Sequence, residues 1–392
     1  MKKLITFSIL SYLLFTINTS AANQSSNENL KKKENILKIG VLLPLSGKFQ
    51  NIGESFLKSI QLALLEVGNK NIKIYPKDSK GNALDAYDSA KEFEEMGINI
   101  VLGPIFYESI VELEKINKIT FISFTNKATS IPKNVISFGV NVDSQIKVLK
   151  EYFKKIEASK TLFLSPNSEF EQQSESIKKK DILKFYRTYS YDTNPKKITA
   201  QIGKITKYKE RKRDLEKRIN ILEKSDLYKD KNELKILEQK HTLGKLNFDS
   251  VVILDFGERL KSVLSSFMFS DVSSEEVNFF TLNQWFDESL FNESAMQNLY
   301  FPSIDFKNLK KFNKKYEKTF GEKPNKVSIL AYDALGLIYY CWYNNNKNFN
   351  SSQLYNKNGF KGLQGKFVIK NNFSKQNLKI YKVSNKKFIK VY

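Results

Sequence analysis

The chain has 392 residues, of which 41% are hydrophobic and 13% aromatic, enough for two packed cores and too apolar for a disordered polymer. Lys+Arg number 64 and Asp+Glu 42, a formal charge of +22. That charge is spread along the whole chain rather than gathered into a stripe, which argues against a nucleic-acid-binding face. A single histidine, His241, and a single cysteine, Cys341, exclude an intramolecular disulfide and any multi-histidine or four-cysteine metal site.

Met1–Ala22 reads as a secretory signal: Lys2 and Lys3, an uncharged apolar run from Leu4 to Ile17, then the small residues Thr19-Ser20-Ala21-Ala22. The run is shorter than a membrane-spanning helix needs. No cysteine stands at the cleavage region, so lipid attachment is not expected. Residues 23–35 are polar and read as a flexible tether.

From Ile36 short apolar runs alternate with amphipathic helices. Ile36–Leu45 is almost continuously apolar, as a strand buried on both faces is. A helix over Gly53–Val67 follows, then strand Ile72–Tyr75, helix Asn82–Met96, strand Ile98–Leu102, helix Tyr107–Ile116 and strand Thr120–Ser123. This alternation predicts a doubly wound parallel sheet, with ligands bound beyond the carboxyl ends of its strands. A second unit begins near Ser144, with helix Gln145–Ile156 and strands Thr161–Leu164 and Ile182–Tyr189.

Pro195–Lys245 carries 16 Lys/Arg and 8 Asp/Glu, with leucine stripes at Leu215, Ile219 and Leu222 and at Leu234 and Leu237. Asp230 and Glu233 resemble a capping box, which predicts two helices here. A hairpin of this kind is either a solvated surface element or a docking arm. Strand Ser250–Leu254, helix Glu258–Phe269 and strand Val277–Leu282 follow, the last expected to return to the first unit. Helices are expected over Asn308–Phe320 and Lys326–Trp342, and short antiparallel strands from Gly359 to Tyr392. The expected organisation is a first lobe over 36–143 joined by 278–345, a second lobe over 144–277 with the helical insert 195–245, and strands over 346–392 closing the hinge region.

Several blocks resemble the type I periplasmic binding proteins, the leucine-binding class. They are Ile39–Leu64 (IGVLLPLSGKFQNIGESFLKSIQLAL), Val101–Pro104 (VLGP), Thr120–Asn126 (TFISFTN), Ala331–Ala334 (AYDA) and Gly359–Phe367 (GFKGLQGKF). The charged insert followed by His241-Thr242-Leu243-Gly244, then Phe248–Val252, and Trp285 within LNQWFD, resembles the penicillin-binding-protein activator-like branch of Gram-negative bacteria. The resemblance implies an α/β fold of two doubly wound parallel-sheet lobes joined by a hinge, a ligand held between the lobes, and a periplasmic location. Known outer-membrane activators of that branch are lipoproteins with an added helical-repeat domain, and this sequence shows neither feature.

An amino-acid ligand presents a carboxylate and an ammonium. Ser46, Ser123, Thr125 and Asn126 sit at strand ends suited to the carboxylate, although each is also ordinary turn and cap chemistry. Asp78 and Asp255 are the candidate acids for the ammonium. Transport receptors of the class often place an acid after the strand matching Val277–Leu282, where this chain has Asn283-Gln284-Trp285. Phe106, Tyr107 and Trp285 are placed to stack on a sugar or apolar group. Gly47 and Gly53 lack the Gly-Lys-Ser/Thr ending of a phosphate loop, no nucleophile–base pair is visible, and neither cofactor nor metal is expected. Two functions follow. One is capture of a small amino-acid-like or peptide-like ligand for delivery to a membrane permease. The other is non-transport regulation of peptidoglycan synthesis by contact with a cell-wall synthase.

Overall fold

A computed structural model describes residues 35–127, 129–167, 183–282 and 284–392. The expected signal and all but the last residue of the expected tether lie outside the described residues, as does Ile182. Among the described residues no helix is long and apolar enough to cross a membrane.

Residues 36–392 carry two sheets. In the first, β1 (Leu37–Leu43) pairs in parallel with β2 (Ile72–Asp78) and β3 (Ile100–Leu102), β3 with β4 (Thr120–Ser123), and β4 with β5 (Val135–Ser137). Every residue of β1 except Lys38 is buried, because helices cover both faces of a parallel sheet. Helix α1 (Gln50–Val67) buries Phe56, Ile60, Leu62 and Ala63 and stops at Gly68, which takes a left-handed conformation. Helix α2 (Ala83–Glu95) starts at Asn82, whose side chain accepts the Asp85 N–H at 3.0 Å. The third expected helix is a 3-10 stretch, Glu108–Lys115.

Helix α3 (Val142–Lys155) opens the second lobe, followed by β6 (Thr161–Pro166) and β7 (Arg187–Tyr191). The insert holds α4 (Pro195–Ile205), α5 (Tyr208–Leu222) and α6 (Tyr228–Leu237), three helices where two were expected. The leucine stripes meet as expected, with Leu215, Leu222 and Leu237 forming a small core of their own. The capping box does not form: Glu233 instead takes Arg218 in a bidentate pair at 2.9 and 2.8 Å. Arg211, 8% exposed, fastens the insert to the lobe by donating to the carbonyls of Ser270 and Asp271 at 3.3 and 3.0 Å, and closes the insert on itself by donating to Thr242 Oγ1 at 2.6 Å.

Strand β8 (Ser250–Ile253) and helix α7 (Gly257–Phe269) lead to β9 (Asn278–Thr281) and β10 (Tyr300–Ser303). Here the structure corrects the sequence reading. β9 pairs in parallel with β8 from Ser250↔Asn278 to Ile253↔Thr281, so the strand over Val277–Leu282 stays in the second sheet. A strand joined to its predecessor by one crossover helix pairs most readily beside it. The return to the first lobe comes later, between α8 (Phe306–Phe320), whose Leu309, Phe312 and Tyr316 lie in the second core, and α9 (Ile329–Asn344), which packs in the first.

The last strands divide between the lobes. β11 (Phe360–Gly362), β12 (Gly365–Lys370) and β13 (Phe373–Gln376) extend the first sheet to the order β11-β12-β13-β5-β4-β3-β1-β2. β14 (Lys379–Ser384) and β15 (Lys387–Lys390) extend the second to β15-β14-β10-β9-β8-β6-β7. The chain therefore passes between sheets at 138–141, 321–328 and 377–378.

Two of these passages share a buried polar knot. Gln376 Nε2 donates to the carbonyls of Phe138 and Gly139 at 3.3 and 3.1 Å, and the Gln376 N–H donates to Ser144 Oγ at 3.1 Å. Asn141 caps α3 through the Ser144 N–H at 2.9 Å and donates through Nδ2 to the Ser374 carbonyl. Gly139 belongs there for steric reasons, since a Cβ would stand 2.4 Å from the Thr125 carbonyl oxygen. At the third passage Ser55 of α1 accepts the Asn325 N–H at 2.7 Å, and Glu66 of α1 takes Lys315 of α8 and the Tyr332 hydroxyl of α9 at 2.8 and 2.7 Å.

Asp333 of α9 holds the turn between β11 and β12 by accepting the N–H groups of Leu363 and Gln364, each at 2.8 Å. Burial pushes its carboxyl up to about 6, against those two bonds, which favour the ionised form.

Gln376→Leu strips donors from several buried acceptors, and a loss of about 2–4 kcal/mol is expected in urea denaturation. The Asp333 carboxyl binds its proton more readily folded, near 6, than unfolded, near 3.8, so its stabilising contribution is fully present below about pH 4 and lost as pH rises through about 6. Compared with Asp333→Asn, the wild type is expected to lose roughly 3 kcal/mol between pH 4 and pH 7 in paired urea titrations, and a pH-independent difference would contradict the burial argument.

Candidate functional site

The first sheet presents the carboxyl ends of β1 to β4 along one edge, and most of the predicted residues lie there. Helix α1 is brought close behind this edge because Gly53 has no side chain: a Cβ would stand 1.9 Å from the Pro44 carbonyl oxygen. Ser46 and Asp78 meet, with Ser46 Oγ donating to Asp78 Oδ2 at 2.5 Å. Asp78 Oδ1 accepts the N–H groups of Leu45 and Lys80, each at 2.8 Å. Partial burial works to raise this carboxyl, but the three donors outweigh it and hold it below the usual carboxylate range. Asp78 is thus an ionised clamp across the loops after β1 and β2. Its lone pairs are engaged by the loops themselves, which does not favour its expected part as an ammonium acceptor.

Ser123, fully buried at the end of β4, donates to the Pro104 carbonyl at 2.8 Å and accepts the Thr125 N–H at 3.3 Å. The Thr125 carbonyl takes Ser137 Oγ at 2.8 Å and the Gly139 N–H at 3.0 Å, which ties this corner to the first passage between sheets. Thr125 itself is buried, while Asn126 is exposed. Phe106 is half-buried and packs on Phe49, with ring centroids 4.5 Å apart. Lys127 sits 3.2 Å from the centroid of the Tyr107 ring, a cation–π contact.

On the second sheet Asp255 follows β8 and is 1% exposed. Its carboxylate accepts the Tyr191 hydroxyl at 2.6 Å, the Phe256 N–H at 2.8 Å and Arg259 Nε at 3.1 and 3.2 Å. Burial, and then the Asp255 carboxylate, push the Tyr191 hydroxyl well above the usual phenol range, so it stays a donor. Asp255 is the centre of a buried ion pair and not an open acid.

Beyond β9 the chain splits its aromatic residues between lobes. Phe286 stacks on Phe306 with centroids 4.3 Å apart, inside the second core. Trp285 packs against both cores, as does Tyr332. Gln284, 7% exposed, has a buried side-chain oxygen with no hydrogen-bond partner among the described residues.

The structure therefore brings together Ser46 with Asp78, and Ser123 with Thr125, and sets Trp285 where the lobes meet. It gives Asp255 a separate cluster. The sequence reading named Gln284 without giving it a ligand role, and missed Tyr332 and the Gln376 knot. Only Asn141, an N-cap residue type ahead of an apolar periodic run, carried a readable signal for the knot. Among the described residues no group of His, Cys, Asp or Glu is arranged to hold a metal ion.

Residues 36–187 match the family model described as periplasmic binding protein. Among curated proteins none matches at the level of sequence. A putative branched-chain amino acid ABC transporter protein from Rhodospirillum rubrum superposes with a TM-score of 0.68 at 13% identity, over 91% of this chain and 100% of that one. The C-domain of LpoA from Haemophilus influenzae, described as a regulator of PBP1A, gives 0.61 at 15% identity over 91% and 100%. This chain spans 59% of full-length LpoA from the same organism. The branched-chain amino acid substrate-binding protein LivJ from Streptococcus pneumoniae, solved with isoleucine, gives 0.56 at 16% identity over 91% and 100%. The fold is that of the type I periplasmic binding proteins of the leucine-binding class, and its structural neighbours include amino-acid receptors and LpoA alike.

Asp255→Ala removes the acceptor shared by the buried Tyr191 hydroxyl and Arg259 Nε. A loss of about 1–3 kcal/mol is expected in urea denaturation, and a variant as stable as the wild type would return Asp255 to the open ligand groups.

Proposed function

We propose that the protein is a non-catalytic binding protein of the bacterial envelope that regulates a cell-wall synthase by protein–protein contact. The observation behind this reading is that both acids placed to receive a ligand ammonium, Asp78 and Asp255, are engaged by donors of the chain itself. The replacement of an acid by Asn283-Gln284-Trp285 after β9 points the same way. So does the packing of Trp285 against both cores, which sets an aromatic side chain of the chain itself where the lobes meet. The likeness to LpoA, described as a regulator of PBP1A, supplies the class of partner, and the signal-like Met1–Ala22 and the family match supply the periplasm as its place.

A second reading rests on Gln284. Its buried amide oxygen, without a partner among the described residues, suits a ligand with an uncharged donor, such as an amide or hydroxyl, held between the lobes and passed to a permease. Of the first-sheet residues, Ser46, Phe106 and Asn126 keep exposed surface with which to meet that ligand from the opposite strand ends, whereas Ser123 and Thr125 are buried.

A thermal-shift screen against single amino acids, short peptides and cell-wall fragments, run beside binding measurements with a purified penicillin-binding synthase, separates the two. The regulatory reading expects saturable synthase binding and no shift with any amino acid. A small ligand present at 100 times its dissociation constant adds about 2.7 kcal/mol, enough to move the midpoint by several degrees, and such a shift with an amino acid and no synthase binding would overturn it.

A further inference from the structure

A cavity of about 350 Å³ lies on the first lobe, away from the strand ends just described, between the C-terminal half of α9, the 3-10 turn Ser351–Tyr355 and the edge strand β11. That volume falls at the small end of the roughly 300–1,000 Å³ typical of ligand pockets. Its lining is distinctive in a chain that is 27% Asp, Glu, Lys and Arg: none of these four residue types, and no histidine, contributes to it. Rings come from Tyr340, Tyr355 and Phe360, and uncharged hydrogen-bonding groups from Asn344, Gln353 and Asn356. The thiol of Cys341, also at its wall, is pushed up to about 11 by burial and is therefore neutral.

The parts are held in place by contacts that do not depend on a ligand. Tyr340 meets Phe360 edge to face with centroids 5.8 Å apart, and Phe360 packs in turn on Phe367 of β12. The Tyr355 hydroxyl donates to Asn372 Oδ1 at 2.6 Å, and Asn344 Nδ2 donates to the Tyr340 carbonyl at 2.9 Å. Tyr340 and Tyr355 remain 53% and 39% exposed, so ring surface is open to solvent. Gln353 supplies an independent observation. Its Oε1 is shielded from solvent and has no hydrogen-bond partner among the described residues, an arrangement that costs free energy unless a donor reaches it.

The chemistry selects the ligand class. A charged ligand would find no counter-charge. A purely apolar one would leave the amides and the Gln353 oxygen unsatisfied. A saccharide meets both demands, because its C–H faces lie against aromatic rings while its hydroxyls donate to amide oxygens. We propose that this cavity is a binding site for an uncharged saccharide unit, with Tyr340 as the stacking ring and the Gln353 side-chain amide as the hydrogen-bonding group, its Oε1 turning out to a ligand hydroxyl on binding. The ligand is either a free oligosaccharide or one unit of a glycan polymer. The proposal does not rest on the regulatory reading, and either can fail alone.

Two measurements on the full chain test it: calorimetric titration with the soluble trimer of N-acetylglucosamine, and co-sedimentation with insoluble peptidoglycan sacculi. Saturable binding to the trimer indicates a site open to free oligosaccharide. Sedimentation with sacculi in the absence of trimer binding indicates a polymer site. In either case Tyr340→Ala and Gln353→Leu are expected to weaken binding by about tenfold each, while Tyr340→Phe keeps it. Tyr340 is half exposed and Gln353 lies in a surface turn, and a thermal midpoint matched to the wild type confirms that each variant is folded. Failure to bind either probe, or binding that both variants leave unchanged, overturns the proposal.

Discussion

Everything in this molecule depends on how one chain is carried between two sheets without leaving its polar backbone unpaired. Each lobe has its own core, and the two are linked by passages that are themselves buried. A buried carbonyl without a donor is costly, so these passages are stable only if side chains satisfy them. Gln376 does this at two passages at once, reaching the carbonyls of Phe138 and Gly139 while its own N–H is taken by Ser144. Because Ser137 and Gly139 also bond the Thr125 carbonyl, the corner that carries Ser123 and Thr125 is fixed by the same knot. The strand ends inherit their geometry from the passages.

This coupling explains why the polar residues at the strand ends read as ligand groups in the sequence and turn out to be engaged. Ser46 and Asp78 are far apart in the chain, and nothing local announces that one donates to the other. The loops after β1 and β2 bring them to 2.5 Å. An acid at a strand end is ambiguous until its donors are known. Asp255 shows the stronger case: it precedes the extended Phe256 and the first turn of α7, so intrahelical spacing does not announce the pair it makes with Arg259.

The strands themselves were legible wherever burial on both faces leaves a continuous apolar run. Ile36–Leu45, Ile98–Leu102 and Ser250–Leu254 all fall on strands of the structure. What escaped was assignment between lobes and short elements. β9 has the same apolar character as a strand of either sheet, and only its register with β8 decides the matter. β5 is three residues long, below the length at which periodicity carries information. The insert's leucines gave its packing, whereas Glu233, the sixth residue of a helix rich in both charges, had partners other than the helix N-terminus available and took Arg218.

The position of Trp285 bears on how the lobes can move. A lobe-closing protein needs passages that bend and an interior that empties and refills. Here the passages are pinned by buried hydrogen bonds, and Lys315, Glu66 and Tyr332 join α8, α1 and α9 across the lobes. The exposed ion pair contributes little by itself, since such pairs are typically worth under about 1 kcal/mol. The packing of Trp285 and Tyr332 against both cores is a larger restraint, because any opening must withdraw aromatic surface from one core or the other. A lobe arrangement held in this way favours a fixed outer surface over a cycle of capture and release. That is the physical reason the engaged acids and the shared aromatics support the same function.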